Sequence, residues 1–395
     1  MIRVLLFIFI WSITFDPTGI LHIKELLFVF LLGWAIKEHL KKPQKIPVSV
    51  LLVITSFLIF PIYALLNAQI SENCQDFSYA IGHIKSILFI LFYFVIVRFE
   101  FDYIYKLLVY NGLLLVVATL MIHLFFLVYP DIFNYIYTFF RANGDIAIIS
   151  RREFLGVVVN GIYFKTAPFI IFSYIYVLYS YKGRGRMLLS LMTLYTLLIS
   201  GSRVPMLIAV LITILYLYRT IKISRLIKYT SFFITFIAFI SVVYFLATEE
   251  GETSNVIKFG NLNSYLSDIF NLKTFLFGAG LGSTFYAEGI GEYISNSELT
   301  YMDLWRIYGT FITLILLLCV FSPCIKMQLF LRKKEFPEQY YRFAEGYGLY
   351  MILAGTNPLL LSSTGMFVLA LGLLFITFLR QKVSRIKLVS MNEVK

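Results

Sequence analysis

The sequence predicts an all-α, polytopic integral membrane protein of about 12 transmembrane helices, one membrane domain over 1–395 with two long loops on its outer face. Three observations carry this. The 395 residues are 59% hydrophobic and 14% charged, and a mean hydropathy of +0.83 leaves too little polar surface for a soluble domain. Apolar runs of helix length recur from end to end, and a run of roughly 20 residues matches a hydrocarbon core about 30 Å thick. Positive charge collects on alternate breaks between the runs, the asymmetry that orients helices in a bilayer.

Taken in order, the runs fall near 3–15, 20–36, 48–66, 84–98, 107–128, 166–181, 187–200, 204–218, 229–247, 300–322, 343–357 and 361–379. Val4–Phe15 has the length of a signal-peptide core behind Arg3. However, Asp16-Pro17-Thr18-Gly19 reads as a turn and no small-residue cleavage site follows, so a retained helix is expected. An even number of spans puts both ends on one side. A cytoplasmic start gathers Lys37, Lys41, Lys42 and Lys45, then Lys182, Arg184 and Arg186, then Arg219, Lys222, Arg225 and Lys228 inside, with most of the 34 basic residues. The net charge of +12 is then topological, and because it is spread over short turns rather than one face, nucleic acid is not an expected partner. Cys74, Cys319 and Cys324 have no metal-ligand spacing, and His22, His39, His83 and His123 are scattered, so neither a metal nor another cofactor is expected.

The outer loops, about 129–165 and 248–300, are long enough to carry function rather than only connect helices. In the first, Arg141, Arg151, Arg152 and Lys165 stand on the face that should be poor in cations. Arg151 and Arg152 suit an anionic ligand, or alternatively an ion pair with Glu153 or contact with headgroups. The second loop is acidic, with Glu249, Glu250, Glu252, Asp268, Glu288, Glu292 and Glu298 against Lys258 and Lys273.

Between two helices, Ser200-Gly201-Ser202-Arg203-Val204-Pro205 makes a minimal outer turn with Pro205 in the first turn of the next helix. A guanidinium beside free helix N–H groups receives phosphate well; its alternative is an Arg203 that snorkels or pairs with a loop carboxylate. At the end of the acidic loop, Glu298, Met302 and Arg306 share a helical face at spacing of four. Arg306 so placed serves either a diphosphate or an ion pair with Asp303. Glu298 serves either as general base toward a sugar hydroxyl or as a solvated helix-start carboxylate. The glycine run 277–282 resembles a nucleotide loop only superficially, since no strand precedes it; a re-entrant bend or close backbone approach is expected.

Together, Ser200-Gly201-Ser202-Arg203, Leu276-Phe277-Gly278-Ala279-Gly280-Leu281-Gly282 and Glu298 through Gly309 resemble the O-antigen polymerase and ligase superfamily, and the size and aromatic composition are similar to its Wzy-type polymerases. The motif-bearing likeness covers about 190–310. It implies a fold like that of the C-type membrane glycosyltransferases and metal-independent glycosyl transfer on the periplasmic face of a Gram-negative inner membrane. Donor and acceptor would be glycans on undecaprenyl diphosphate, with a chain-length regulator and a flippase as further partners. Glu298 and Arg203 would be catalytic, and Arg151, Arg152 and Arg306 would bind substrate. The related ligases carry a histidine near the place of Glu298, and this chain has none there, which favours polymerase over ligase. A lipid-linked oligosaccharide flippase or other transporter is the alternative; it predicts charges through the bundle interior and short outer loops.

Overall fold

The computed structural model describes residues 1–129, 132–142, 147–154, 157–200, 202–220, 253–332, 336–355 and 358–393, with isolated positions between 230 and 241. Helices α1 (Ile2–Phe15), α2 (Ile23–Lys41), α3 (Val48–Ile70), α4 (Phe77–Ile96), α5 (Phe101–Val128) and α6 (Ile132–Ala142) lead to a hairpin, β1 (Ala147–Phe154) and β2 (Val157–Phe164). Next come α7 (Phe169–Tyr179), α8 (Arg186–Ile199) and α9 (Arg203–Thr220). Then follow α10 (Thr253–Ile269), α11 (Leu272–Phe277), a short hairpin of β3 (Phe285–Ala287) and β4 (Glu292–Ile294), and α12 (Thr300–Leu331), α13 (Glu338–Ala354) and α14 (Ser363–Glu393).

Among the described residues, α3, α4, α5, α12 and Ser363–Ser384 of α14 are long and apolar enough to cross a membrane; α1, α7, α8 and most of α9 are apolar but shorter. The run at 229–247 lies almost entirely outside the described residues. The described residues are mostly helical, as the all-α expectation has it, and each of the two long loops adds an antiparallel pair of strands beside helices. A long connection outside the helices must pair its own backbone groups, and a hairpin does so locally.

The helices differ in what surrounds them. The apolar stretch of α14 is 89% buried, against 28% for α12, so α14 is a central post and α12 presents Phe311, Leu314 and Leu318 outward. Such exposed apolar stripes suit helices whose solvent is hydrocarbon. Polar side chains tie neighbouring helices: the Tyr93 hydroxyl meets Thr377 Oγ1 at 2.9 Å, and Ser173 Oγ donates to the Val109 carbonyl at 2.9 Å, over Gly112. In an apolar medium such hydrogen bonds fix which helix faces which. After α1 the predicted turn is present. The Asp16 carboxylate accepts from the N–H groups of Gly19, Ile20 and Leu21 at 2.9, 2.8 and 2.9 Å, and Thr166 Oγ1 donates to the Thr14 carbonyl at 2.6 Å, tying this end of α1 to the first long loop.

Candidate functional site at the loop end of the bundle

The second loop is anchored by its glycines. Gly278, Gly280 and Gly282 all have φ between 81° and 89°, a region open to glycine at little cost. Ala279 and Gly280 donate their N–H groups to the carbonyls of Arg306 and Ile307 at 2.7 and 3.1 Å. Leu281 donates to Ala64 at 2.9 Å, and Gly282 accepts from Asp76 at 2.8 Å. A Cβ on Gly280 would stand 2.6 Å from that of Ala68. The run is therefore a backbone wedge between the ends of α3 and α4 and the Gly309 kink of α12 (φ 74°). This is the close approach expected from the sequence.

Outside the wedge, Tyr265, Ile269, Phe285 and Ala287 form a small core of their own. Arg306 closes it from below and is fully buried. Its Nη1 donates to Ser283 Oγ at 2.9 Å, and its Nη2 to the carbonyls of Ser283 and Ser295 at 3.0 and 2.7 Å. Asp268 lies 3.8 Å away and the Phe285 ring centroid 4.7 Å from Cζ. In this structure the guanidinium is enclosed by protein and held by Ser283 and Ser295, which flank the β3–β4 hairpin, while its Nε has no hydrogen-bond partner among the described residues. Its ion-pair partner is Asp268 rather than Asp303. Burial pushes the Asp268 carboxyl up, and the Arg306 charge offsets part of that. Asp303 instead accepts from the Tyr265 hydroxyl and from the Ser297 N–H at 3.2 Å. Burial, and then the Asp303 charge, raise the Tyr265 phenol.

The Ser297 hydrogen bond fixes the point at which Glu298 leaves the chain. Helix α12 begins at Thr300, so Glu298 precedes it and does not share the helical face of Met302 and Arg306. Its carboxylate is 56% exposed and lies 3.2 Å from Lys258 Nζ on α10. The two line a cleft of about 310 Å³ with Asn261, Ile290, Asn296 and Pro358. Asn261 is buried, and its Oδ1 has no hydrogen-bond partner among the described residues.

The first long loop reaches the same place. Burial, and then the Glu298 charge, raise the Tyr163 phenol, whose hydroxyl has no hydrogen-bond partner among the described residues. Register distinguishes the adjacent arginines. Arg152 pairs with Val159 and Ile148 with Tyr163, whereas Arg151 pairs with Asn160. Consecutive strand positions fall on opposite faces, so position 152 shares the face of Tyr163 and position 151 lies on the other. β2 packs on α8, which ends at Ile199. The turn to α9 therefore lies at this end of the bundle too, with Ser200 buried and Arg203 opening α9. Gly201 and the side chains of Arg151, Arg152 and Arg203 lie outside what the structure describes.

Thus Glu298, the Tyr163 face of the hairpin and the backbone of Arg203 share one end of the molecule, and Arg306 lies beneath as a structural tie. Sequence reasoning missed Lys258, Asn261 and Tyr163 as site residues: each is ordinary in its local run and becomes distinctive only when the two loops meet. Among the described residues, no group of three or more His, Cys, Asp or Glu side chains could hold a metal ion. No known protein family matches the chain, and neither does any curated protein or solved structure.

Proposed function

We propose that this chain is an O-antigen polymerase. On this reading it crosses a Gram-negative inner membrane about 12 times with both ends in the cytoplasm, and joins repeat units carried on undecaprenyl diphosphate at the periplasmic face. The observation that supports it best is the Glu298 cleft, an accessible carboxylate beside a cation where the two long loops converge. A flippase has less need of such a carboxylate outside the helices.

In the proposed step the acceptor sugar's hydroxyl attacks the anomeric carbon of the donor, and Glu298 takes the hydroxyl proton. The bond from that carbon to the diphosphate oxygen breaks with its electron pair. Arg203 and Arg152 meet the charge that develops on the diphosphate, which arginine's fork of N–H groups suits. Lys258 holds the Glu298 carboxylate facing the cleft. Arg151, on the other hairpin face, contributes less.

The test is glycan analysis by gel in a strain lacking the protein, complemented at matched expression. Wild type restores a ladder, whereas Glu298→Gln, Arg203→Ala and Arg152→Ala leave a lipid core with a single repeat unit. Arg151→Ala retains more of the ladder than Arg152→Ala. Absence of capped single units in the deletion strain would make export or ligation the missing step and end the polymerase reading.

A further inference from the structure

A second cavity lies at the far end of the bundle from the Glu298 cleft, where α4 has run from Asp76 to Arg98 and α14 from Ser363 to Lys382. It measures about 480 Å³, and its lining combines two cations, Arg98 and Lys382, and two carboxylates, Glu100 and Asp102, with an apolar floor that includes Phe101 and Phe378.

The four charges are held differently. Arg98 Nη1 donates to the Lys42 carbonyl at 2.8 Å, while its Nη2 is buried without a hydrogen-bond partner among the described residues. Arg98 also lines the cavity, and a guanidinium at a cavity wall suits an acceptor oxygen. Lys382 Nζ is steadied by the Tyr340 hydroxyl at 3.2 Å and lies over the Tyr340 and Phe378 rings at 5.0 and 4.7 Å. Asp102 is engaged, accepting from Gln339 Nε2 at 3.2 Å and the Tyr340 hydroxyl at 3.0 Å. Glu100 stands at the N-terminus of α5 without capping it and is exposed.

We propose that this cavity binds the headgroup of a zwitterionic phospholipid of the phosphatidylethanolamine type. Its phosphate lies between Arg98 and Lys382, its ammonium toward Glu100, and the start of its acyl chains on the Phe101 and Phe378 floor. Charge balance sets this choice. A nucleotide or a purely anionic lipid would bring its negative charge against Glu100 and Asp102 with nothing positive to offer them, whereas a zwitterion satisfies both signs. The proposal needs only that this end of the helices meets the bilayer surface, and it stands apart from the polymerase reading.

The experiment is native mass spectrometry of the full chain in detergent, titrated with phosphatidylethanolamine, phosphatidylglycerol or soluble phosphoethanolamine. A one-to-one adduct is expected with phosphatidylethanolamine, about tenfold tighter than with phosphatidylglycerol. Arg98→Gln should weaken it by about tenfold, and Glu100→Gln should abolish the preference between the two lipids. Melting curves accompany each variant. If Arg98→Gln itself unfolds the chain, Lys382→Gln makes the same test from the other side of the phosphate. Equal uptake of both lipids, unchanged by these variants, would mean ordinary annular lipid and overturn the proposal. Displacement of the lipid by equimolar phosphoethanolamine would overturn the lipid as its source.

Discussion

Arg306 and Glu298 stand close together in sequence and sit in opposite environments. The arginine is enclosed, bonded by the backbone and side chain of Ser283 and by the Ser295 carbonyl. The glutamate is more than half exposed and has one cation beside it across a cleft. A charge enclosed by the fold is out of a ligand's reach, even though the Arg306 Nε has no hydrogen-bond partner among the described residues, whereas a charge held at a cleft rim by a single weak pair is open to one. The contrast therefore separates a residue that builds the second loop from one that the loop exists to present, and substitutions at the two should differ in kind.

The largest stability loss belongs to Arg306. Arg306→Ala leaves three buried acceptor groups without their donor, and breaking such a buried charged network costs about 3–5 kcal/mol. Thermal unfolding in detergent should show a markedly lower midpoint, with early proteolysis between α10 and β4. If the variant melted like wild type and lost only activity, the contrast would collapse and Arg306 would rejoin the site. Next is Gly280→Ala. Holding a non-glycine residue at φ 89° costs about 1–2 kcal/mol, to which the contact with Ala68 adds. The same melting assay should find it destabilised, and less so than Arg306→Ala. Glu298→Gln should barely move the midpoint, since an exposed ion pair contributes about 0.2–1 kcal/mol, while it abolishes the glycan ladder. A large stability loss from Glu298→Gln would mean that the Lys258 pair is structural.

The sequence made one half of this contrast legible. Apolar runs are local signals and translate into α1, α3, α5, α8 and α12 with ends shifted by up to nine residues, at the end of α12, because a helix pairs all the backbone groups of an apolar run within the segment. The glycine wedge was also readable, since three glycines at alternate positions have few uses apart from tight backbone approach. The enclosure of Arg306 was not legible because its partners arrive from just before β3, just after β4 and from α10, and the turn geometry that delivers them has no period to detect. Tyr163 and Lys258 were missed for the same reason: what makes them notable is Glu298, brought to them from a distant stretch of chain. Of the adjacent arginines, only the pairing of Arg152 with Val159 decides which shares the Tyr163 face, and register follows from the whole hairpin rather than from the arginine pair.

The smallest effect tests the electrostatics inside the Arg306 centre. Burial raises the Asp268 carboxyl more than the Arg306 charge lowers it, so the folded chain binds this proton more tightly than the unfolded chain. The stabilisation is then fully present below the unfolded value, about pH 4, and is lost as pH rises toward the folded value. Asp268→Asn removes that dependence. The variant should melt no lower than wild type at pH 7, and wild type should gain on it as the pH is lowered toward 4. The reverse pattern, with wild type ahead at pH 7 and the gap closing in acid, would mean that attraction to Arg306 outweighs burial. Asp268 would then belong with Ser283 and Ser295 among the groups that hold the arginine in place.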